Sequence, residues 1–346
     1  MRARRANTAH HAYRRGAILV AGVVLTLLDQ AEVAQAWCRM TTVQSTPGPS
    51  SAPCPTEGIP LAWQRRCISY AVDIQGTAGL SLNQARDLID AAFQTWAALD
   101  CGTGSPLLQV RQLVQPSNCQ EAAFCRHGAN VNTVAFIDDW EARDYDPFAF
   151  AITTVFTNAK TGEIVDADMQ INERLGPYAD CPSVDVPNDP DPQGCPLVPG
   201  QPTPVDLRNI VTHEVGHFLG LGHTPDDVRA TMYEETLAGE VRKRSLRPDD
   251  IEGYCAAYTQ DTLPLVCNFA PEGGLELSCT ADSPCPGAIA FPQSGCDCRL
   301  AVTAPAGPWL AALLLTLLLL TLRRCGLMAV QGDQAAEDGA GQGLEQ

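Results

Sequence analysis

The stretch His213-Glu214-Val215-Gly216-His217-Phe218-Leu219-Gly220-Leu221-Gly222-His223 decides how the rest of the chain is read. Its pattern is H-E-x-x-H-x-x-G-x-x-H. Four residues of α-helix turn through about 400°, so His213 and His217 share one face, one turn apart. Glu214 stands about 100° round from His213, within reach of a water on a metal held there. Zinc sites that do chemistry use three protein ligands and keep a fourth position open. A third imidazole cannot come from the next helical turn, because the chain would curl away. Gly220 supplies the break, since glycine takes the left-handed conformation that ends a helix. The chain then bends back and presents His223. The spacing therefore points to His213, His217 and His223 as ligands of one Zn²⁺, with Glu214 beside the open position. The competing reading is a core helix with three stray histidines. The short pattern HExxH arises by chance in about one chain of this length in a hundred, and Gly220 with His223 lowers that about a thousandfold. Of six histidines in the chain, His10 and His11 precede an expected cleavage site and only His127 lies elsewhere.

Nine residues past His223 comes Met232, within Ala230-Thr231-Met232-Tyr233. Together with the extended histidine motif, this resembles the metzincin metallopeptidases, and Met-Tyr is similar to their matrixin branch. The resemblance covers roughly residues 60–258, with its specific motifs confined to 213–233. It implies a zinc endopeptidase acting on a protein or peptide substrate, with one catalytic Zn²⁺, Glu214 as general base, and Met232 as the Met-turn, an apolar floor under the imidazoles. Other branches place a ligating Tyr two residues after the Met; here that position is Glu234, so a fifth ligand is not expected. Matrixins hold a second, structural zinc with histidines on the strands before the active helix. Residues 150–157 and 163–172 carry no His, so that site is expected to be absent. Cys38 and Cys54 lie in the segment 37–60, but nothing there resembles the cysteine-bearing prodomain motif. For Asp166, Asp168 and Glu173, a Ca²⁺ site is one reading and solvated strand-edge carboxylates the other. A second functional reading is a catalytically silent metzincin-fold adhesion or structural module; decayed peptidases usually lose the glutamate or a ligand, and this chain keeps Glu214 and all three His.

Periodicity places the motif in an α+β fold. Cys67 to Ile74 alternates as a strand. Ser81 to Leu99 has apolar residues at helical spacing, and Ser81 with Gln84 forms a capping box. Leu107–Val114 and Thr133–Ile137 read as strands, and Phe150–Thr157 with Glu163–Ile171 as a hairpin with one packed and one polar face. A loop rich in Pro and Asp runs from Gly176 to Pro204. The zinc helix begins near Val205, and a last helix spans Pro248 to Tyr258 with Asp249 and Asp250 in its first turn. This order matches the metzincin arrangement: a twisted, mostly parallel five-stranded sheet with one antiparallel edge strand, an active-site helix and a C-terminal helix. The resemblance makes 150–157 the edge strand, along which an extended substrate would pair antiparallel through its backbone.

Residues 1–36 read as a signal peptide: five Arg by position 15, an apolar run from Gly16 to Leu28, and small residues Ala34-Gln35-Ala36 before Trp37. All fifteen Cys lie beyond it, which suits disulfides in an oxidising compartment. The local pairs favoured are Cys181 with Cys195 and Cys119 with Cys125. The net charge of −17 becomes about −20 once the segment with five Arg, one Asp and one Glu is removed, which argues against a nucleic-acid partner. The chain then divides into an extended lead-in (37–60), a catalytic domain (61–258), a Cys-rich stalk (259–299), a transmembrane or sorting segment (300–324) and an acidic tail (325–346). Leu300 to Leu322 is uncharged, long enough to span a bilayer and closed by Arg323-Arg324. With Cys296-Asp297-Cys298 ahead of it, this resembles the C-terminal sorting segments of myxobacterial surface proteins (the MYXO-CTERM type); the longer tail departs from that type, and a plain single-pass helix is the other reading. Both imply an exported protein held at a membrane through its C-terminus, and the localisation expected is the cell surface or outer membrane, or secretion. Oligomeric state is not readable from the sequence.

Overall fold

The computed structural model describes residues 37–43, 54–182, 194–196, 198–259, 263–264, 266–279 and, as backbone, 296–300. The expected signal peptide and the apolar run and tail from residue 301 lie outside the described residues. Among the described residues no helix is long and apolar enough to cross a membrane.

The first strand β1 (Cys38–Arg39) belongs to the lead-in, and β2 (Cys67–Val72) opens the domain. Helix α1 (Leu82–Ala97) follows, with the expected capping box: Gln84 N–H donates to Ser81 Oγ at 3.3 Å and Ser81 N–H to Gln84 Oε1 at 3.0 Å. Its buried stripe is Ala85, Ile89, Ala92, Phe93 and Trp96. Then come β3 (Gln109–Gln112), β4 (Thr133–Ile137), β5 (Ala149–Thr157) and β6 (Ile164–Asn172). Short strands β7 (Tyr178–Ala179) and β8 (Val205–Asp206) lead into α2 (Leu207–Phe218). After β9 (Leu221–Gly222) and β10 (Glu235–Thr236) come α3 (Pro248–Ala257) and β11 (Cys296–Leu300).

Strands β2, β3, β4 and β6 run parallel, and β5 folds back antiparallel on β6 with Thr153 opposite Met169. This is the expected five-stranded sheet in an α+β fold. Two short strands extend it: the order is β10-β11-β5-β6-β4-β2-β3, so β5 is not the outermost strand. Helix α2 lies between α1 and the β5–β6 hairpin. Both of its faces are therefore buried, Leu207, Val211 and Val215 as well as Ile210, His213 and His217.

The expectation that 150–157 is the edge strand is thus corrected, because β11 pairs along it, and three further sequence readings change. The polar face of β6 is not solvated: Asp166 and Asp168 are 1% and 3% exposed. The stretch before β4 covers that face, with Ala123 N–H donating to Asp168 at 2.9 Å and Gln170 Nε2 donating to the Gln120 carbonyl at 2.7 Å, while Thr133 N–H at the start of β4 donates to Asp168 at 2.8 Å. Cys119 pairs not with Cys125 but with Cys279, because Asn118 and Cys279 bond through their backbones to the stretch each faces. Cys125 is itself disulfide-bonded. Finally, much of the stretch read as a stalk is fastened to the sheet, through Cys67–Cys267, Arg65–Glu272 and the Arg111 guanidinium 3.8 Å from the Phe269 ring centroid. The expected Cys181–Cys195 pair is present, beside Cys38–Cys54 and Cys101–Cys255.

Candidate metal centre

Asp206 starts the site. Its side chain caps α2 by accepting from Asn209 N–H at 2.7 Å, and Arg244 clamps the same carboxylate, with Nε 2.7 Å from Oδ1. A buried, bidentate guanidinium–carboxylate pair fixes orientation as well as charge. At the other end, the last carbonyls of a helix lack partners within it. Aromatic donors satisfy them here: Trp63 Nε1 donates to the Phe218 carbonyl and the Tyr258 hydroxyl to that of Leu219, both at 2.8 Å. Gly220 then takes φ +86° and turns the chain, and β9 pairs antiparallel with β1, Cys38 opposite Gly222. The lead-in thus braces the turn that carries His223.

The turn brings the three Nε2 atoms together: 3.1 Å from His213 to His217, 3.1 Å from His217 to His223 and 3.2 Å from His213 to His223. Two of the rings are aimed from behind. His213 Nδ1 lies 2.6 Å from the Thr231 carbonyl and His217 Nδ1 2.8 Å from that of Leu221. A carbonyl can only accept, so Nδ1 carries the proton in both and Nε2 keeps its lone pair. Burial, helped by Lys243 and the neighbouring imidazoles, holds His213 well below its ordinary value. Burial also pushes His217 down to about 4, against the pull of the Leu221 carbonyl. Converging neutral lone pairs repel each other unless a cation sits between them. A tetrahedral zinc with bonds of about 2.0–2.1 Å needs nitrogens about 3.3–3.4 Å apart, close to the observed triangle. The donor set fits zinc, and it is the cluster of three among the described residues with the reach to hold a metal.

Met232 lies beneath. A Cβ placed on Gly216 would stand 2.1 Å from Met232 Sδ, so helix and methionine are in contact through the missing side chain. Asp250 fixes this turn: its carboxylate accepts from Thr231 N–H at 2.9 Å and Met232 N–H at 3.0 Å. Through Thr231 the same carboxylate orients the carbonyl behind His213. Glu214 is fully buried, and Thr153 on β5 donates its hydroxyl to Glu214 Oε2 at 2.6 Å.

His213, His217 and His223 come together, Glu214 follows His213 on the same helix, and Met232 packs against that helix at Gly216. Asp166, Asp168 and Glu173 do not join them; Glu173 Oε1 accepts from Thr77 Oγ1 and Ala78 N–H, both at 2.8 Å. Sequence reading missed Thr153, Asp250 as the holder of the Met-turn, and Lys243. The last is fully buried, donates to the Tyr233 carbonyl and stands 3.3 Å from His213 Nδ1. Asp250 carried a signal, a first-turn carboxylate, but was read as serving its own helix. Thr153 and Lys243 carried none.

Residues 138–259 match the matrixin family model. Metalloendoproteinase 1 of Glycine max is 45% identical over 53 residues, 15% of this chain and 17% of that protein. Metalloendoproteinase 5-MMP of Arabidopsis thaliana is 45% identical over 56 residues, 16% of this chain and 15% of that protein. Metalloendoproteinase 1-MMP of the same plant is 43% identical over 54 residues, 16% and 14% of the two chains. The chain thus spans about a sixth of the length of the curated relatives it matches. Residues 138–259, which carry β5, β6, the three histidines and the Met-turn, are thus similar to the matrixin branch of the metzincins.

Proposed function

We propose that this chain is an exported zinc endopeptidase, held at a membrane surface through its C-terminal segment, with His213, His217 and His223 as the zinc ligands and Glu214 as general base. The observation that carries the reading is the triangle of neutral Nε2 atoms with a buried carboxylate next to it in sequence. Zinc bound there supplies Lewis acidity toward water and the scissile carbonyl. Glu214 takes the proton of the attacking water and returns it to the leaving amine nitrogen. Thr153 holds the Glu214 carboxylate from the sheet side. Asp250 and the Thr231 carbonyl keep the His213 lone pair facing inward, and Met232 sets the depth of the helix. An extended peptide lies along β5 and pairs through its backbone, which makes recognition largely independent of sequence.

Five disulfides among the described residues support an oxidising, extracytoplasmic compartment. The retained Glu214 and complete ligand set favour turnover over a silent adhesion module. Glu214→Gln tests this, because it keeps the ligands and removes the proton carrier. Loss of a general base costs about 10²–10⁴ in rate, with zinc content unchanged by elemental analysis. A Glu214→Gln chain that cuts a fluorogenic peptide library as fast as wild type overturns the assignment.

A further inference from the structure

The groove beside β5 already has an occupant from the same chain. Strand β11 lies antiparallel to β5, with Cys296 opposite Thr153, Asp297 opposite Ile152 and Cys298 opposite Ala151. On its other side β11 runs parallel to β10, with Glu235 opposite Arg299 and Thr236 opposite Leu300. Thr153 is the residue whose hydroxyl holds Glu214. The backbone at Cys296 is therefore one strand spacing, about 4.8 Å, from the strand position nearest the general base. Helix α2 lies against β11 as well as β5. An unpaired strand edge is a template for any extended segment, and a peptide cannot pair with β5 here while β11 does.

We propose that residues 296–300 act as an intramolecular occupant of the substrate groove, keeping the site closed to other peptides until that strand is drawn away. This rests on reading the groove as a peptidase cleft. The occupant is delivered by a fixed anchor. Cys67–Cys267 and Cys119–Cys279 tie the preceding stretch to the far side of the sheet, and residues 280–295 connect it to β11. Linkers of this order hold their ends at an effective concentration on the order of millimolar. A segment whose free peptide binds with a Kd of about 0.1 mM is then seated about nine-tenths of the time, which lowers the apparent kcat/KM about tenfold. The device needs no tight contact, only the tether. Drawing the C-terminal segment out of the groove, as a membrane holding residues beyond 300 could do, opens the site.

The test uses the full chain with Asp297→Pro and, separately, Cys298→Pro. Both positions lie in register with β5 ahead of the bulge and have opposite parity along the strand, so one of them removes an N–H that faces β5. Hydrogen exchange is read over residues 149–157 and 235–236, and cleavage is read on a quenched peptide. The expected result is faster exchange in both stretches, with α1 and β4 unchanged, and kcat/KM raised about tenfold. A synthetic peptide of residues 294–301 added at about 1 mM should return both readings toward wild type. Unchanged exchange over 149–157 in both variants overturns the proposal, and so does raised exchange with unchanged cleavage. If exchange responds and the peptide rebinds while no form cleaves any peptide, the occupancy stands and the peptidase reading is what fails. Should a proline variant also loosen α1 and β4, rebinding of the peptide to the other variant decides.

Discussion

Gly220→Ala separates two reasons for a glycine that the motif alone merges into one. At φ +86° an alanine sits in the left-handed region, at a cost of about 1–2 kcal/mol. The second reason is visible only in the fold. A Cβ on Gly220 would stand 2.5 Å from the Leu61 carbonyl oxygen, a backbone atom braced by the lead-in just after β1, since Leu61 N–H donates to the Met40 carbonyl at 2.9 Å. Forcing an extra methyl into such a packed site costs about 1–3 kcal/mol more. The expected destabilisation is therefore about 2–5 kcal/mol. Gly102→Ala is the control: its φ is +83° and nothing lies within 4 Å of the added Cβ, so it should cost only the left-handed share, about 1–2 kcal/mol. Urea unfolding of both variants, disulfides intact and zinc chelated, measures the difference. A zinc-competition titration measures how far the turn before His223 has moved. If Gly220→Ala costs no more than Gly102→Ala and binds zinc as wild type does, Leu61 does not constrain the turn and the argument is wrong.

Thr153→Val removes the hydroxyl that holds Glu214 while keeping its shape; losing a hydrogen bond to a charged group, about 1.5–3 kcal/mol, should lower kcat roughly tenfold to a hundredfold with zinc content intact, and an unchanged kcat would detach Thr153 from the mechanism. Elemental analysis of the folded chain should find one tightly held zinc, since one cluster among the described residues suits it; two would contradict the reading of the strands. The buried pair on β6 gives a pH signature, because burial and the neighbouring Asp168 raise the Asp166 carboxyl well above its ordinary value and burial pushes Asp168 up to about 7. Below about pH 4 both states are protonated, and above it the unfolded chain ionises first, so these groups remove stability as pH rises toward 7. Asp166→Asn should therefore gain stability relative to wild type between pH 4 and pH 7, read as Tm against pH, and a flat difference would show that Asp166 is ionised in the fold.

What the sequence reveals about this site follows the range of the interactions. The ring spacing of His213 and His217 is set within one helical turn, and Gly220 acts on its two neighbours, so both are readable from a dozen residues. The capping box at Ser81 is local in the same way. Thr153 is different, because its contact with Glu214 spans 61 residues and depends on the register of β5 against α2. That register is fixed by packing on both faces of the sheet, which leaves no periodic trace in Thr153-Thr154. The same limit explains Cys119: a six-residue loop to Cys125 looks cheap to close, but the chain returns 160 residues later with Cys279 already aligned by backbone bonds to Asn118. It also explains β6, where the alternation reads as one packed and one polar face. An alternating pattern reports polarity, not exposure, and Asp168 and Gln170 spend theirs on backbone groups of the covering loop and of the first residue of β4. Polar residues on an inner strand are then a sign of a covering loop that must be tied down. In this chain that loop also carries Cys119 and Cys125, so the disulfides and the buried carboxylates secure the same face of the sheet, on the side away from the three histidines' helix.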